Sequence, residues 1–178
     1  VFFIRKKGTR NEFELCSVDA KTGEVKVILH EVSKPYLNEE LFSCRVLNGG
    51  EDILLWSDRS GWGHYYHYDG NGKLLNAVTS GEWTAGRIMK IDTVKKQIYL
   101  YGYGKEKGCN PNYTHMYRVG FNGRRLTLLT PGNATHSAFV HLGGGLIVDN
   151  FSRIDTVPQI AVRDINGRLL TILEKTDI

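Results

Sequence analysis

The stretch Asn166-Gly-Arg-Leu-Leu-Thr-Ile-Leu173 joins a tight-turn dipeptide to a mostly apolar run, and comparable units occur three more times in the chain. The other three are Asp19-Ala-Lys-Thr-Gly23 before Glu24–Leu29, Asp69-Gly-Asn-Gly72 before Lys73–Leu75, and Phe121-Asn-Gly123 before Arg124–Leu129. Asn-Gly and Asp-Gly pairs supply the positive φ that two-residue hairpin turns need. The turn glycines follow one another at intervals of 49, 51 and 44 residues. A period of about 40–50 residues that holds several strands is typical of β-propeller blades.

Strand patterns between these turns predict an all-β chain, since no window carries the apolar spacing of a capped helix. We expect about four blades of antiparallel four-stranded sheet within a single partial propeller domain over residues 1–178. The predicted blades cover residues 1–31, 41–80, 86–131 and 135–174. The first blade holds only three strands, Val1–Arg5, Glu12–Val18 and Glu24–Leu29, and lacks its innermost one. We therefore expect a fragment of a longer ring, which self-associates through its open edges.

Composition excludes several classes of function. The 23 basic and 19 acidic residues leave a net charge of only +4, and the longest basic run is Arg5-Lys6-Lys7, so we expect no nucleic-acid partner. No run approaches the ~20 apolar residues of a membrane span. The three cysteines, Cys16, Cys44 and Cys109, are too few for a disulfide framework or a four-thiolate metal site, and their disulfide state stays open.

Several motifs suggest chemistry but have simpler explanations. His64 and His67 lie three residues apart on a predicted strand, so their rings diverge, and we expect one packed and one exposed histidine rather than a metal pair. Gly102–Gly108 reads as a hairpin loop, and His141-Leu-Gly-Gly-Gly145 as a turn between strands. Glu39-Glu40 reads as solvated loop charge. The sequence contains neither a hydrolase elbow nor a phosphate-binding loop, and we expect no metal and no cofactor.

An aromatic run, Trp62, Tyr65, Tyr66 and Tyr68, lies in the second predicted blade. Because both faces of a propeller blade are covered by neighbouring blades, we expect these side chains to pack in the core. Two alternatives stay open. One is a stand-alone propeller that binds proteins through its loops, and the other is a carbohydrate-binding propeller built on Trp62 and Trp83.

An ordered set of segments resembles the N-terminal propeller of the dipeptidyl peptidase IV family. The set comprises Trp56-Ser-Asp-Arg-Ser-Gly-Trp-Gly-His-Tyr-Tyr66, Val78-Thr-Ser-Gly-Glu-Trp83, Leu129-Thr-Pro-Gly132, His136-Ser-Ala-Phe139 and Val148-Asp-Asn-Phe-Ser152. The resemblance covers nearly the whole chain. It departs at His141–Gly145, where relatives carry a Ser-Pro-Asp-Gly-like turn.

The resemblance implies a serine exopeptidase of the prolyl oligopeptidase type, with an eight-bladed propeller before an α/β-hydrolase domain. The chain would be the second half of that propeller, a non-catalytic part that gates and positions peptide substrate. The catalytic serine, aspartate and histidine would lie beyond Ile178, and Tyr36 would lie near the substrate. Glu39-Glu40 lacks the Trp-x-Tyr context of the family's amine-binding glutamates and does not take their role. The resemblance also implies a periplasmic, cell-surface or secreted protein.

Overall fold

The computed structural model describes residues 1–8, 11–35 and 37–175. Within these residues the regular structure consists of fifteen β-strands and one short 3-10 turn, Asn48–Gly50. The chain divides into two compact units, Val1–Ala77 and Val78–Ile178. Each unit contains two antiparallel sheets whose strands follow one another in chain order. Such meanders are the building blocks of β-propellers.

The first unit contains a three-stranded and a four-stranded sheet. The strands of the three-stranded sheet are β1 (Phe2–Lys6), β2 (Glu12–Val18) and β3 (Val25–Val32). The strands of the four-stranded sheet are β4 (Cys44–Leu47), β5 (Asp52–Ser57), β6 (His64–Asp69) and β7 (Leu74–Ala77).

The second unit contains two four-stranded sheets. The strands of its first sheet are β8 (Thr84–Asp92), β9 (Gln97–Tyr103), β10 (Thr114–Gly120) and β11 (Thr127–Leu128). The strands of its second sheet are β12 (Thr135–His141), β13 (Leu146–Arg153), β14 (Thr156–Asp164) and β15 (Leu169–Lys175).

The repeated turns are closed by a side-chain acceptor. In three of them an aspartate Oδ1 accepts a hydrogen bond from the backbone N–H two residues later: Asp19 from Lys21 at 2.8 Å, Asp69 from Asn71 at 2.9 Å and Asp164 from Asn166 at 2.8 Å. The remaining turn has Gly120 at the aspartate position, and Asn122 Oδ1 instead accepts from the N–H of Arg124 at 3.0 Å. The short polar side chain thus fixes each hairpin locally.

Two turn glycines also touch a neighbouring sheet. Gly72 and Gly167 have φ of +84° and +89°, which side chains rarely adopt. A Cβ on Gly72 would lie 2.0 Å from the carbonyl oxygen of Ile28 in β3, and one on Gly167 would lie 2.7 Å from that of Leu129. Both turns therefore rest on the backbone of the preceding sheet, where only glycine fits.

Each unit has a hydrophobic cluster formed from both of its sheets. The cluster of the first unit contains Phe13, Leu15, Leu29, Leu37, Ile53, Leu55, Tyr66 and Tyr68. The cluster of the second unit contains Tyr99, Met116, Leu129, Ala138, Val140 and Ile147. Cluster residues on the same strand lie two positions apart, as Ile53 and Leu55 do on β5 and Tyr66 and Tyr68 on β6, so one face of each strand contributes to the cluster.

The structure confirms the predicted all-β fold and the three-stranded first sheet. Several strand boundaries were wrong, and two of them illustrate the differences. The strand predicted over Arg124–Leu129 is only Thr127–Leu128, because Arg125 has a φ of 60° that interrupts an extended run. The strand predicted over Glu24–Leu29 continues to Val32, where it still pairs with Glu12.

Candidate functional site

Arg59 organises the loop between β5 and β6. Its Nε donates a hydrogen bond to Ser57 Oγ at 3.0 Å, and its guanidinium forms an ion pair with Glu31 on β3. The same guanidinium lies 4.4 Å from the ring centre of Tyr66. A planar guanidinium can stack and pair at once. Arg59 therefore links two sheets of the first unit and is occupied by structural contacts.

The loop that Arg59 fixes carries an exposed aromatic ring. Trp62 is 44% exposed, whereas Tyr65, Tyr66 and Tyr68 are buried. The core-packing prediction is thus confirmed for the tyrosines and wrong for Trp62. Gly63 explains part of this geometry, since a Cβ there would lie 2.2 Å from the ring of Trp56. Trp56 takes the buried position beneath the loop, and Trp62 is left on the surface.

The prediction of one packed and one exposed histidine on β6 was wrong, because His64 and His67 are both buried. Both faces of this strand are covered, so side chains that point in opposite directions are both removed from water. His67 Nε2 lies 2.7 Å from Asp52 Oδ1. Asp52 Oδ2 also accepts a hydrogen bond from Asn48 Nδ2 at 2.5 Å.

Tyr36, the residue predicted to lie near substrate, lies outside the described residues. The connection around it is anchored on both sides. Ser33 is buried, and its N–H donates to the carbonyl of Asn11 at 2.8 Å. Leu37 is 5% exposed and belongs to the hydrophobic cluster of the first unit. Of the acidic pair that follows, Glu39 lies 3.6 Å from Lys6 Nζ as a surface ion pair.

An open groove of 480 Å³ lies between β1 and β4, and it is lined by Ile4, Lys6, Phe42, Ser43, Cys44 and Arg45. The Lys6 ammonium lies 5.0 Å from the ring centre of Phe42. Arg45 is exposed. Burial raises the pKa of the Cys44 thiol to about 12, so at neutral pH Cys44 is a thiol and not a nucleophilic thiolate. The groove therefore offers positive charge and apolar contact.

The second unit contains a buried charge cluster on β12, β13 and β14. His136 Nδ1 lies 2.9 Å from Asp149 Oδ1, and Arg163 Nε donates to Asp149 Oδ2 at 2.9 Å. All three residues are less than 9% exposed. The Nε2 atom of His136 is buried and has no partner among the described residues. The Thr114 hydroxyl donates to the backbone carbonyl of His136 at 2.9 Å, but no hydroxyl or thiol of the described residues is hydrogen-bonded to its imidazole ring, so the cluster contains no paired nucleophile.

The remaining motifs from the sequence lie in loops, turns or the core and make structural contacts there. Gly102–Gly108 spans the end of β9 and the start of the loop to β10, in which Glu106 accepts a hydrogen bond from the Tyr117 hydroxyl at 2.9 Å. His141–Gly145 contains the turn between β12 and β13. The Gly144 N–H donates a hydrogen bond to His141 Nδ1 and closes this turn. The alternative of a carbohydrate-binding surface on Trp62 and Trp83 is not supported by the geometry, because Trp83 is 3% exposed and its Nε1 donates to the carbonyl of Ser80.

The described residues contain no group of three or more histidine, cysteine or acidic side chains placed to hold a metal ion. The sequence patterns assigned no site role to Arg45, Lys6, Asp149 or Arg163, although Lys6 lies in the basic run Arg5-Lys6-Lys7 and Asp149 in the quoted stretch Val148–Ser152. Their partners come from other strands or loops, so spacing along the chain carries no signal for them. Arg59 likewise lies inside a quoted stretch, Trp56–Tyr66, and was assigned no contact there.

Antiparallel meanders repeated with a period of 44 to 51 residues place the chain among the β-propeller proteins. The family model of the dipeptidyl peptidase IV (DPP IV) N-terminal region matches residues 3–158, and the chain belongs to this family.

Curated relatives share about a third of their residues with the chain where they align. The probable dipeptidyl peptidase 4 of Trichophyton verrucosum is 32% identical over 119 residues, which is 65% of this chain and 15% of that protein. The dipeptidyl peptidase 4 of Arthroderma otae is 33% identical over 104 residues, 57% of this chain and 13% of that protein. The chain therefore spans only a small part of the relatives it matches.

Solved structures share the fold. Porphyromonas gingivalis dipeptidyl peptidase 4 matches with a TM-score of 0.75 and 23% identity, over 94% of this chain and 23% of its own. A putative dipeptidyl aminopeptidase IV from Bacteroides ovatus matches with a TM-score of 0.77 and 18% identity, and the match covers 99% of this chain and 27% of that one. TolB from Acinetobacter baumannii matches with a TM-score of 0.56 and 20% identity, and the match covers 94% of this chain and 38% of that one. In the part of the chain that the structure describes, no helix has the length and apolarity to cross a membrane.

Proposed function

We propose that the chain is the non-catalytic propeller portion of a dipeptidyl peptidase IV-like serine exopeptidase. In this proposal it gates and positions peptide substrate for a hydrolase domain outside residues 1–178. The observation that carries the proposal is the family match over residues 3–158. The meander sheets support it, because propeller blades surround a channel through which a substrate can be admitted or refused.

The chemistry of the described residues fits an indirect role. Acyl transfer from a peptide needs an activated nucleophile, a base and an oxyanion site. Cys44 is a neutral thiol at neutral pH because burial raises its pKa. The imidazole of the buried His136 has a carboxylate partner in Asp149, and no hydroxyl or thiol of the described residues is hydrogen-bonded to that ring. Tyr36 is the residue that we propose to lie near substrate, on a connection anchored by Ser33 and Leu37.

The test begins with the complete coding sequence. The full-length product should cleave a Gly-Pro chromogenic substrate, and the 178-residue chain alone should not. In the full-length enzyme Tyr36→Ala should raise KM with little change in kcat, and Tyr36→Phe should retain most binding. A full-length product that folds but lacks any dipeptidyl peptidase activity would contradict the proposal. So would reproducible cleavage by the chain alone.

Three further properties belong to this proposal. The chain forms one partial domain of an eight-bladed ring, its parent protein is periplasmic, cell-surface or secreted, and the isolated chain self-associates through open sheet edges. Exposed apolar side chains on the last sheet support the self-association, since Phe139 is 66% exposed and Val148 39%. Light scattering should show oligomers that increase with protein concentration, whereas a concentrated sample that stays monomeric would contradict this part.

A protein-binding propeller is the second candidate, and the exposure of Trp62 favours it. A tryptophan held on an ordered loop is a frequent anchor of protein interfaces. This candidate predicts that Trp62→Ser removes partner binding in a pull-down while the full-length product retains peptidase activity.

A further inference from the structure

Two basic pairs that lie far apart in sequence come together at one end of the sheet β8–β11. The β8–β9 and β10–β11 turns contain four exposed cationic residues: Lys95, Lys96, Arg124 and Arg125. The turns are joined directly, because the Phe121 N–H donates a hydrogen bond to the Lys96 carbonyl at 2.8 Å. We name these two turns, residues 93–96 and 121–126, the basic end. Their four charges equal the formal net charge of +4 of the whole chain.

Little negative charge within the two turns offsets these cations. Asp92 is the one acidic residue in the segments 92–97 and 120–127. Its Oδ1 accepts a hydrogen bond from the Lys95 N–H at 2.8 Å, so this carboxylate already closes the β8–β9 turn. The side chains of Lys95, Arg124 and Arg125 make no ion pair among the described residues.

The adjoining turn of the last sheet, Asp164–Arg168, leaves this excess unchanged. Arg118, near the end of β10, donates hydrogen bonds to the Ile165 carbonyl at 2.9 Å and to Asn166 Oδ1 at 3.1 Å, which places the turn beside the basic end. The carboxylate of Asp164 and the guanidinium of Arg168 offset each other in the net charge. The basic end therefore keeps an exposed surplus of positive charge.

The backbone at the basic end adopts conformations that such residues rarely take. Three described residues other than glycine have positive φ, and two of them are Lys96 at 49° and Arg125 at 60°. Glycine or asparagine adopts this left-handed conformation at lower cost. Strained backbone of this kind concentrates at functional sites, so its occupation by two cations points to a role for their charge.

An uncharged side chain projects among these cations. Val94, at the tip of the β8–β9 turn, is 93% exposed. Single-stranded nucleic acids are typically held by stacking on aromatic rings, and the segments 93–96 and 122–126 contain no aromatic residue. The interface of a bilayer suits both features, since its anionic headgroups attract cations and its acyl boundary accepts an aliphatic group. A lipid surface therefore fits the basic end better than a polynucleotide does.

We propose that the basic end binds the surface of a membrane that contains anionic lipids. The lipid phosphates contact four side chains, those of Lys95, Lys96, Arg124 and Arg125, and Val94 enters the boundary between headgroups and acyl chains. Both turns join strands within one four-stranded sheet, so no neighbouring sheet is needed to form this surface. Membrane binding at this end is independent of the peptidase assignment.

The test is cosedimentation of the 178-residue chain with vesicles of phosphatidylcholine that contain about 30% phosphatidylglycerol. Four cations near an anionic surface correspond to half-maximal binding at about 1 mM accessible lipid. Vesicles of phosphatidylcholine alone should bind at least about a hundredfold more weakly, and about 0.5 M salt should release the chain. No cosedimentation with the anionic vesicles up to about 10 mM lipid would overturn the proposal.

A pair of matched charge variants locates the contact. The double variant K95Q/R124Q should weaken vesicle binding about twentyfold, because each cation contributes about fivefold. The variant K105Q/K107Q removes the same charge from the exposed β9–β10 loop, at the opposite end of the same sheet. That loop lies more than about 20 Å along β9 from the basic end, roughly two screening lengths at about 0.1 M salt, so affinity should change less than about twofold. Equal losses in the two variants would overturn the assignment.

Val94 separates a lipid surface from other polyanions. Val94→Ser should weaken vesicle binding about threefold or more, and Val94→Leu should restore it, because only a bilayer receives the aliphatic group. Binding of the same variants to a labelled DNA duplex serves as the comparison. If the chain binds the duplex more tightly than the anionic vesicles, and Val94→Ser changes neither affinity, the basic end is a polyanion site and the proposal is wrong.

Discussion

The two units bury an aspartate in different ways. In the first unit Asp52 is bonded to His67 and to Asn48, whose amide carries no charge. In the second unit Asp149 is fully buried and lies between His136 and the guanidinium of Arg163. The bonds described for Asp52 thus come from donors that can be neutral, whereas Asp149 has a permanently charged partner in Arg163. The difference teaches that a propeller sheet tolerates a buried carboxylate with either kind of partner. The two arrangements differ in the charge that remains buried when the carboxylate is removed.

Asp149→Asn should give the largest loss of stability. It leaves the buried Arg163 guanidinium without a counter-charge, which typically costs about 3–5 kcal/mol. Urea unfolding with hydrogen exchange on the amides of β12–β14 measures the loss. Asp52→Asn is the matched change and should cost only about 1–3 kcal/mol, because the bonds described for Asp52 come from His67 and Asn48, which carry no permanent charge. Equal losses in the two units would break the comparison.

Gly72→Ala should follow in size. The added methyl group both forces a residue with positive φ and meets the carbonyl of Ile28 at 2.0 Å, so we expect a loss of about 2–4 kcal/mol. Gly23→Ala shares the positive φ but has nothing within 4 Å, and it should lose only about 1–2 kcal/mol. Thermal melting of both variants separates backbone strain from the contact between sheets. Similar losses would show that this contact is unimportant.

Arg59→Lys should cost about 1–2 kcal/mol, since lysine cannot stack on Tyr66 and pair with Glu31 in the same geometry. Arg163→Lys is the counterpart in the second unit and should cost more, because its partner Asp149 is more deeply buried than Glu31. Urea unfolding of both variants gives the two losses. The reverse order would contradict our distinction between a linking surface arginine and a buried one.

The smallest effect concerns Glu12. Hydrogen bonds from Lys7 and His30 hold the pKa of this carboxyl below its usual value of 4.5. A lowered pKa in the folded state stabilises the fold above the unfolded pKa, and this contribution is lost as pH falls through the folded pKa. The melting temperature of Glu12→Gln should therefore lie slightly below that of the wild type at about pH 7, and the gap should narrow as the pH falls below 4.5 towards about pH 3.

Glu24→Gln provides the control for this titration, because Glu24 is exposed and its side chain makes no bond among the described residues. Its gap to the wild type should be near zero at both pH values. A gap for Glu12→Gln that widens on acidification would contradict the assigned sign.

Local patterns predicted most of the fold. Turn glycines and alternating apolar residues act within a few positions, so the strands and the three-stranded first sheet could be read from the sequence. Arg125 shows the limit, since its left-handed φ shortens a strand that alternation alone would extend. His64 and His67 show a second limit, because alternation assigns side chains to two faces of a strand but does not tell whether either face is exposed to solvent.

The candidate sites depended on contacts that the sequence does not encode locally. Asp149 meets Arg163 across two strands, and the groove beside Lys6 arises where two sheets meet. The substrate-proximal position of Tyr36 rests on the family resemblance alone, and it stays a prediction.

The chain order of the strands has a consequence for biosynthesis. Every sheet of the described residues is a meander, so within a sheet each strand after the first pairs with the one made just before it. At about 5–20 residues per second, a blade of about 45 residues leaves the ribosome within roughly 2–10 s, while hairpins close in microseconds. Each sheet can thus be assembled before the next has been translated. The nascent chain would seldom hold an unpaired strand for long, and this limits aggregation during translation.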